Sequence, residues 1–256
     1  MKSVVRAAWV LPFVFLVGCA SSLYGWHVRT NSTLTSASFL PANLERHSIA
    51  LFGAVTTPML QGTEVGLPLI LAQIIQQVAP ALKVLSPQEL AQRINKHGLV
   101  GEYARMRADY WQSDILDSDA LRKIASAIGV RYVFQPRLAS FSQTMTNRVG
   151  WTTGIDFRLS QTRSSIMRAS LQLWDAETGE MVWDSYAEAT VQNEAFSQDP
   201  VYFEDVARIT MASMLSDFMR GKRGSTYTPM DKLLDKVMQE KVTQTKVEQP
   251  EKAPNE

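Results

Sequence analysis

Apolar positions between residues 45 and 220 change period several times, and each change marks an element. His47 to Val55 is a nearly continuous apolar run, the pattern of a strand covered on both faces. Leu67 to Val78 has helix-like apolar content, and Lys83 to Leu85 reads as a short second strand. Ser86, Pro87 and Glu89 spell a helix start: an N-cap, a proline at the first helical position and the closing glutamate of a capping box. Leu90, Ile94 and His97 continue that helix, and Gly98 stops it. From Ser118, the apolar residues Leu121, Ile124, Ala125 and Ile128 recur at helical spacing up to Gly129, and Val130 to Phe141 leaves as a strand.

The clearest hairpin joins Ile166–Trp174 to Met181–Thr190 through a polar turn in which Gly179 supplies the positive φ. Asp175, Glu177 and Glu180 in this turn read as a solvated acidic loop; calcium needs six or more converging oxygens. Between Thr144 and Ser164, the apolar residues Ile155, Phe157 and Leu159 alternate with Asp156, Arg158 and Ser160. That stretch fits an exposed loop or extended hairpin, and its alternation makes Ile155, Phe157 and Leu159 candidates for contact with a partner or a membrane. Asp199-Pro200 opens a last helix, with Val206, Ile209, Met214 and Phe218 as its buried stripe and Gly221 as its end. The predicted fold is α/β (mixed, α+β-like): a single three-layer domain over residues 45–220, its mixed central sheet flanked by helices.

The ends of the chain follow other patterns. Lys2 and Arg6 precede a short apolar stretch, Ala7 to Phe15, and Leu16-Val17-Gly18-Cys19 follows. The stretch is too short for a membrane-spanning helix and has the layout of a signal peptide, residues 1–18. Cys19 is the single cysteine of the chain. Residues 19–44 are rich in serine and threonine, carry few charges and lack hydrophobic spacing, so they read as a flexible tether reaching roughly 25–30 Å. Residues 221–256 read as a polar tail. Within it a short amphipathic helix, 229–240, places Met230, Leu233, Leu234 and Val237 on one face, opposite Asp231, Lys232, Asp235 and Lys236. A helix of that length is marginal alone and wants a surface to dock on, its own domain or a partner. The end beyond Lys241 is charged, lacks aromatics and reads as disordered.

Charge and chemistry narrow the function. The chain holds 26 basic and 25 acidic residues, and removing Lys2 and Arg6 with residues 1–18 leaves 24 against 25. A balance near −1 gives no support for nucleic-acid binding. His27, His47 and His97 are scattered, so no zinc-ligand spacing exists, and no nucleophile elbow or phosphate-cradling glycine loop is present. The acids Glu102, Asp109, Asp114, Asp117 and Asp119 fit solvated helix faces and caps. Tyr110 and Trp111 fit either a core or a binding surface. The expectation is a non-enzyme without cofactor or metal.

Leu16 to Cys19 resembles the lipobox of bacterial lipoproteins, in which cleavage precedes a lipid-modified cysteine. The helix-Gly-strand unit Leu121–Val133 and the hairpin Leu171–Trp183, with its Asp-x-x-Thr-Gly-Glu turn, resemble the curli-secretion-channel (CsgG-like) family. That superfamily also resembles lipoprotein activators of peptidoglycan synthases, exopolysaccharide-export lipoproteins and the N-terminal domain of TolB. The resemblance implies an outer-membrane lipoprotein facing the periplasm and anchored through acyl chains on Cys19. It further implies envelope proteins, or further copies of the chain, as partners. The channel proper uses two long membrane hairpins per subunit, whereas here only Val191 to Asp199 is left for the second. The expected role is therefore a non-catalytic scaffold or regulator of envelope assembly or export. The alternatives are a lipoprotein holding saccharide or peptide in a cleft and, below it, a pore subunit.

Overall fold

Parallel and antiparallel strands meet in one mixed sheet. The structure is a computed structural model that describes residues 23–36, 39, 41–62, 65–151, 157–195 and 201–228. The strands are β1 (Leu23–Leu34), β2 (Ser48–Leu51), β3 (Val55–Thr56), β4 (Lys83–Leu85), β5 (Tyr132–Trp151), β6 (Phe157–Asp175), β7 (Glu180–Ala195) and β8 (Gly224–Thr228). Their order is β4-β2-β5-β6-β7-β1-β8, with β3 beside β5. β2, β3 and β4 run parallel to their neighbours, and all other pairs are antiparallel. The helices are α1 (Gly66–Val78), α2 (Pro87–Lys96), α3 (Val100–Ser113), α4 (Ser118–Ile128) and α5 (Phe203–Met219).

Strand alternation sorts the core into two layers. Ile49 and Leu51 pack toward α1 and α5, while Ala50 and Phe52 point to α2, α3 and α4. Tyr132 and Phe134 join the first layer and Val133 the second, as period-two geometry requires. The expected mixed sheet flanked by helices is what folds. The capping box forms as read, with Glu89 N donating to Ser86 Oγ and Ser86 N to the Glu89 carboxylate. Gly98, Gly129 and Gly179 all take positive φ.

Several expectations need correction. The segment read as a tether contains β1, a twelve-residue strand between β7 and β8, with Val28, Thr30 and Ser32 buried. Serine and threonine hid it, because its inward positions alternate Val28, Thr30, Ser32 and their hydroxyls are satisfied inside. Ser32 bonds Ser185 at 2.8 Å, and Thr30 Oγ1 donates to Asp217. The tail likewise contributes β8, so the sheet draws residues from outside 45–220. α3 went unread because Leu99 provides no side-chain cap and only Met106 and Tyr110 are buried along it. α4 does begin at Ser118 as read, with Asp117 before it as the N-cap. α5 begins at Phe203, after Asp199-Pro200, and is buried nearly all round from Asp205 to Phe218 instead of along one stripe. Asp175 is no solvated acid: it is buried and accepts from Arg131 Nη2 at 2.9 Å, while Arg131 Nη1 reaches Glu177 at 3.0 Å.

Candidate interaction surfaces

The first surface is the end of the sheet where the chain enters. Leu23 pairs with Glu194 near the far end of β7, beside the pair Gln161–Ala195. There β7 stops, but β5 and β6 continue as a two-stranded arm through Arg148–Ser160 and Val149–Leu159 to Trp151–Phe157. The four residues from Gln161 to Phe157 carry that arm about 14 Å past β7. Thr144–Ser164 is thus an extended hairpin rather than a loop. Phe157 and Leu159 lie on its second strand. Cys19, Ile155, Met230, Leu233, Leu234 and Val237 lie outside the described residues, as does the helix 229–240.

The second surface is a cleft made by a break in the parallel ladder. Phe52 N donates to Phe134 O at 2.9 Å, and regular parallel pairing would next take a proton from residue 136. Residue 136 is proline and has none, so β2 ends and β3 re-forms opposite Arg137 and Leu138. Side chains satisfy the loosened peptides: Gly53 N donates to Tyr103 Oη (2.8 Å), Gln135 Nε2 to Gly53 O (3.1 Å) and Arg107 Nη2 to Ala54 O (2.6 Å). A Cβ on Gly53 would stand 3.2 Å from Arg107 Cζ, so glycine permits this approach. The resulting cleft, about 430 Å³, is lined by Thr56, Gln61, Arg107 and Trp111 among others.

Arg107 and Trp111 share a face of α3 at i, i+4. The Arg107 guanidinium lies 5.8 Å from the Tyr103 ring centre, and its Nε is buried without an acceptor. Among the described residues no carboxylate comes within ion-pair distance of it. Trp111 is 41% exposed, whereas Tyr110 beside it is fully buried. The two adjacent aromatics that the sequence left open between core and surface therefore divide, one to each.

Tyr110 belongs to a buried polar hub. Its hydroxyl and the Trp174 indole both donate to Gln172 Oε1, at 3.0 and 3.1 Å, and Gln172 also bonds the Asp184 carboxylate. Burial pushes the Tyr110 hydroxyl up to about 12, Arg137 pulls it down and the Asp184 charge adds to the rise, so it stays protonated as a donor. Burial also holds the Asp184 carboxyl above its ordinary range, and the bond from Gln172 offsets only part of this. The folded state therefore binds that proton more tightly than the unfolded chain does. Charged Asp184 costs stability above the ordinary carboxylate range, and the cost disappears as pH falls through it. Asp184→Asn is expected to raise the thermal midpoint near neutral pH and to leave it unchanged below about pH 4. Parallel midpoint-versus-pH curves for the two proteins would refute this.

Near the opposite end, His47 stacks edge-on to Tyr132 at 5.7 Å, a packing role rather than a ligand. No group of three or more His, Cys, Asp or Glu among the described residues is placed to hold a metal. No described helix is long and apolar enough to cross a membrane, which leaves strands aside.

No protein-family profile matches the chain, and no curated protein matches it. The CsgG-like resemblance thus rests on the residues that suggested it. Among solved structures, the PelC dodecamer from Paraburkholderia phytofirmans aligns at 15% identity over 74% of this chain and 97% of that one, with a TM-score of 0.37. The LpoB C-terminal domain from Salmonella enterica aligns at 14% identity over 56% and 81%, with a TM-score of 0.33. Lipoprotein GNA1162 from Neisseria meningitidis aligns at 12% identity over 68% and 96%, with a TM-score of 0.38. At such identities and scores these likenesses transfer neither residues nor activity to this chain.

Proposed function

We propose that this protein is a non-catalytic lipoprotein of the outer membrane that holds its sheet close to the bilayer and scaffolds or regulates envelope assembly or export. The observation that carries the reading is the register of β1. Leu23 sits at the end of the sheet from which the β5–β6 arm projects. From Cys19 to Leu23 the chain reaches at most about 14 Å whatever its path, close to the length of the arm. A lipid on Cys19 therefore brings the described end of the arm, at the Trp151–Phe157 pair, close to the membrane surface, where Ile155, Phe157 and Leu159 are the candidate contacts. Several acyl chains on that cysteine exceed the two signals that stable anchoring needs. The described strands offer one such arm per chain, since β7 ends at Ala195 and α5 begins at Phe203. That speaks for a scaffold over a self-sufficient barrel subunit. The partners of this reading are envelope proteins and further copies of the chain.

Two measurements test it together. Cys19→Ser is expected to abolish labelled-palmitate incorporation and leave unprocessed precursor. With Cys19 acylated, Gly154→Cys introduces the only free thiol, and a polarity-sensitive dye there is expected to be quenched by spin-labelled lipid in outer-membrane vesicles. Normal processing of Cys19→Ser, or a dye that lipid quenchers do not reach, would end the close-anchored reading.

A further inference from the structure

We infer that the cleft between β3 and α3 is a binding site for an acidic saccharide, with Trp111 as the stacking face and Arg107 as the anchor for a sugar carboxylate. Three observations converge on it. The cleft lies beyond the carboxyl end of the parallel strand β2, where a ladder has opened, and such ends are where open α/β sheets receive ligands. Its volume of about 430 Å³ falls within the roughly 300–1,000 Å³ of small-molecule sites. Its cation is half-buried, is held in place by the Ala54 carbonyl and Tyr103, and has no carboxylate of the described residues within ion-pair distance.

A guanidinium withdrawn from water without a counter-charge is unfavourable, and a carboxylate relieves it through charge-assisted hydrogen bonds. Arg107 is pre-positioned for this because its Nη2 is tied to backbone and its plane rests near an aromatic ring. Trp111 adds the second element of recognition. An exposed indole four residues along the same helix face offers a flat apolar surface to the C–H face of a pyranose. Exposed Gln61 supplies an amide for hydroxyls, and the Thr56 hydroxyl, which donates to Leu138 O deeper in the cleft, is left as an acceptor. An acidic peptide would use Arg107 equally well but makes no comparable use of a flat ring flanked by an amide and a hydroxyl.

The test is calorimetric titration of the full chain in a polyoxyethylene detergent, which carries no sugar. The probes are a glucuronic-acid trisaccharide, the neutral glucose trisaccharide and pentaglutamate. The acidic sugar is expected to bind saturably, with the neutral sugar and the peptide each at least roughly tenfold weaker. Trp111→Ala, at an exposed position, is expected to keep the wild-type thermal midpoint and weaken the acidic sugar by roughly tenfold. Arg107→Gln is expected to weaken the acidic sugar to the level of the neutral one, and Arg107→Lys to restore part of the difference. Should Arg107→Gln unfold, Trp111→Ala carries the test alone. Absence of saturable binding of the acidic sugar at about 10 mM overturns the proposal. Affinity unchanged by Trp111→Ala, or pentaglutamate binding more tightly than the sugar, overturns it as well.

Discussion

Trp183→Ala is expected to lower the free energy of unfolding by about 3–5 kcal/mol, a large share of the roughly 5–15 kcal/mol that holds a typical domain together. Trp183 is 2% exposed and sits edge-on to Phe218 of α5 at 4.9 Å; Phe218 in turn meets Phe134 at 6.1 Å and Phe39 at 6.2 Å. Removing the indole opens a void at the junction of sheet and helix, where neither element can collapse inward without losing its other contacts. The same side chain carries a liability, because its Nε1 is buried with no acceptor. Both variants remove that orphan donor, worth about 1–3 kcal/mol, but Trp183→Phe keeps most of the ring and is expected to cost far less than alanine. Denaturant unfolding of the two variants isolates the part of the loss that comes from volume. Equal losses would show that a ring at this position does not fill the junction.

The second large effect is expected at Asp217, fully buried at the end of α5. Its Oδ2 accepts from Thr30 of β1 and from Thr226 of β8, the latter at 2.9 Å, and the two threonine hydroxyls lie 2.8 Å apart. Lys222 Nζ stands 3.3 Å from Oδ1 as a charge partner but without hydrogen-bond geometry, so Oδ1 is compensated yet undonated. One carboxylate thus fastens the first and last strands of the sheet to the helix beneath them. Asp217→Ala deprives the buried Thr30 hydroxyl, the half-buried Thr226 hydroxyl and a lysine of their shared partner, and is expected to cost about 3–5 kcal/mol. Asp217→Asn keeps an acceptor and is expected to recover much of that. Hydrogen exchange should show the loss first in β8, which among the described strands pairs only with β1. Protection of β8 as strong in Asp217→Ala as in the parent would show that the strand is held by other means.

What the sequence made legible depended on whether an element carries its own signal. The capped helix α2, the helix-Gly-strand passage from α4 to β5 and the β6–β7 hairpin each hold their start, stop or turn residues locally, and all were readable. β1 and β8 were not, because their inward residues are Thr and Ser as well as Val28, and these become core only through partners distant in sequence such as Asp217 and Ser185. α3 was missed for want of a cap, and with it the cleft. Pro136 was the one available hint of that cleft: a proline inside a strand bordered on both sides announces a broken ladder. Asp175 looked solvated because its partner Arg131 lies far back in the chain.

The position of β1 also sets the order in which the sheet can close. The strand is synthesised first, yet its two neighbours, β7 and β8, belong to the last third of the chain. Pairings of such sequence separation repay their loop-closure entropy only late, which makes folding slow and leaves the early strand's edges open meanwhile. β1 therefore stays without its sheet neighbours until β7 and β8 have been made. On the proposed lipoprotein reading, attachment of lipid at Cys19 is expected to precede closure of the sheet over β1.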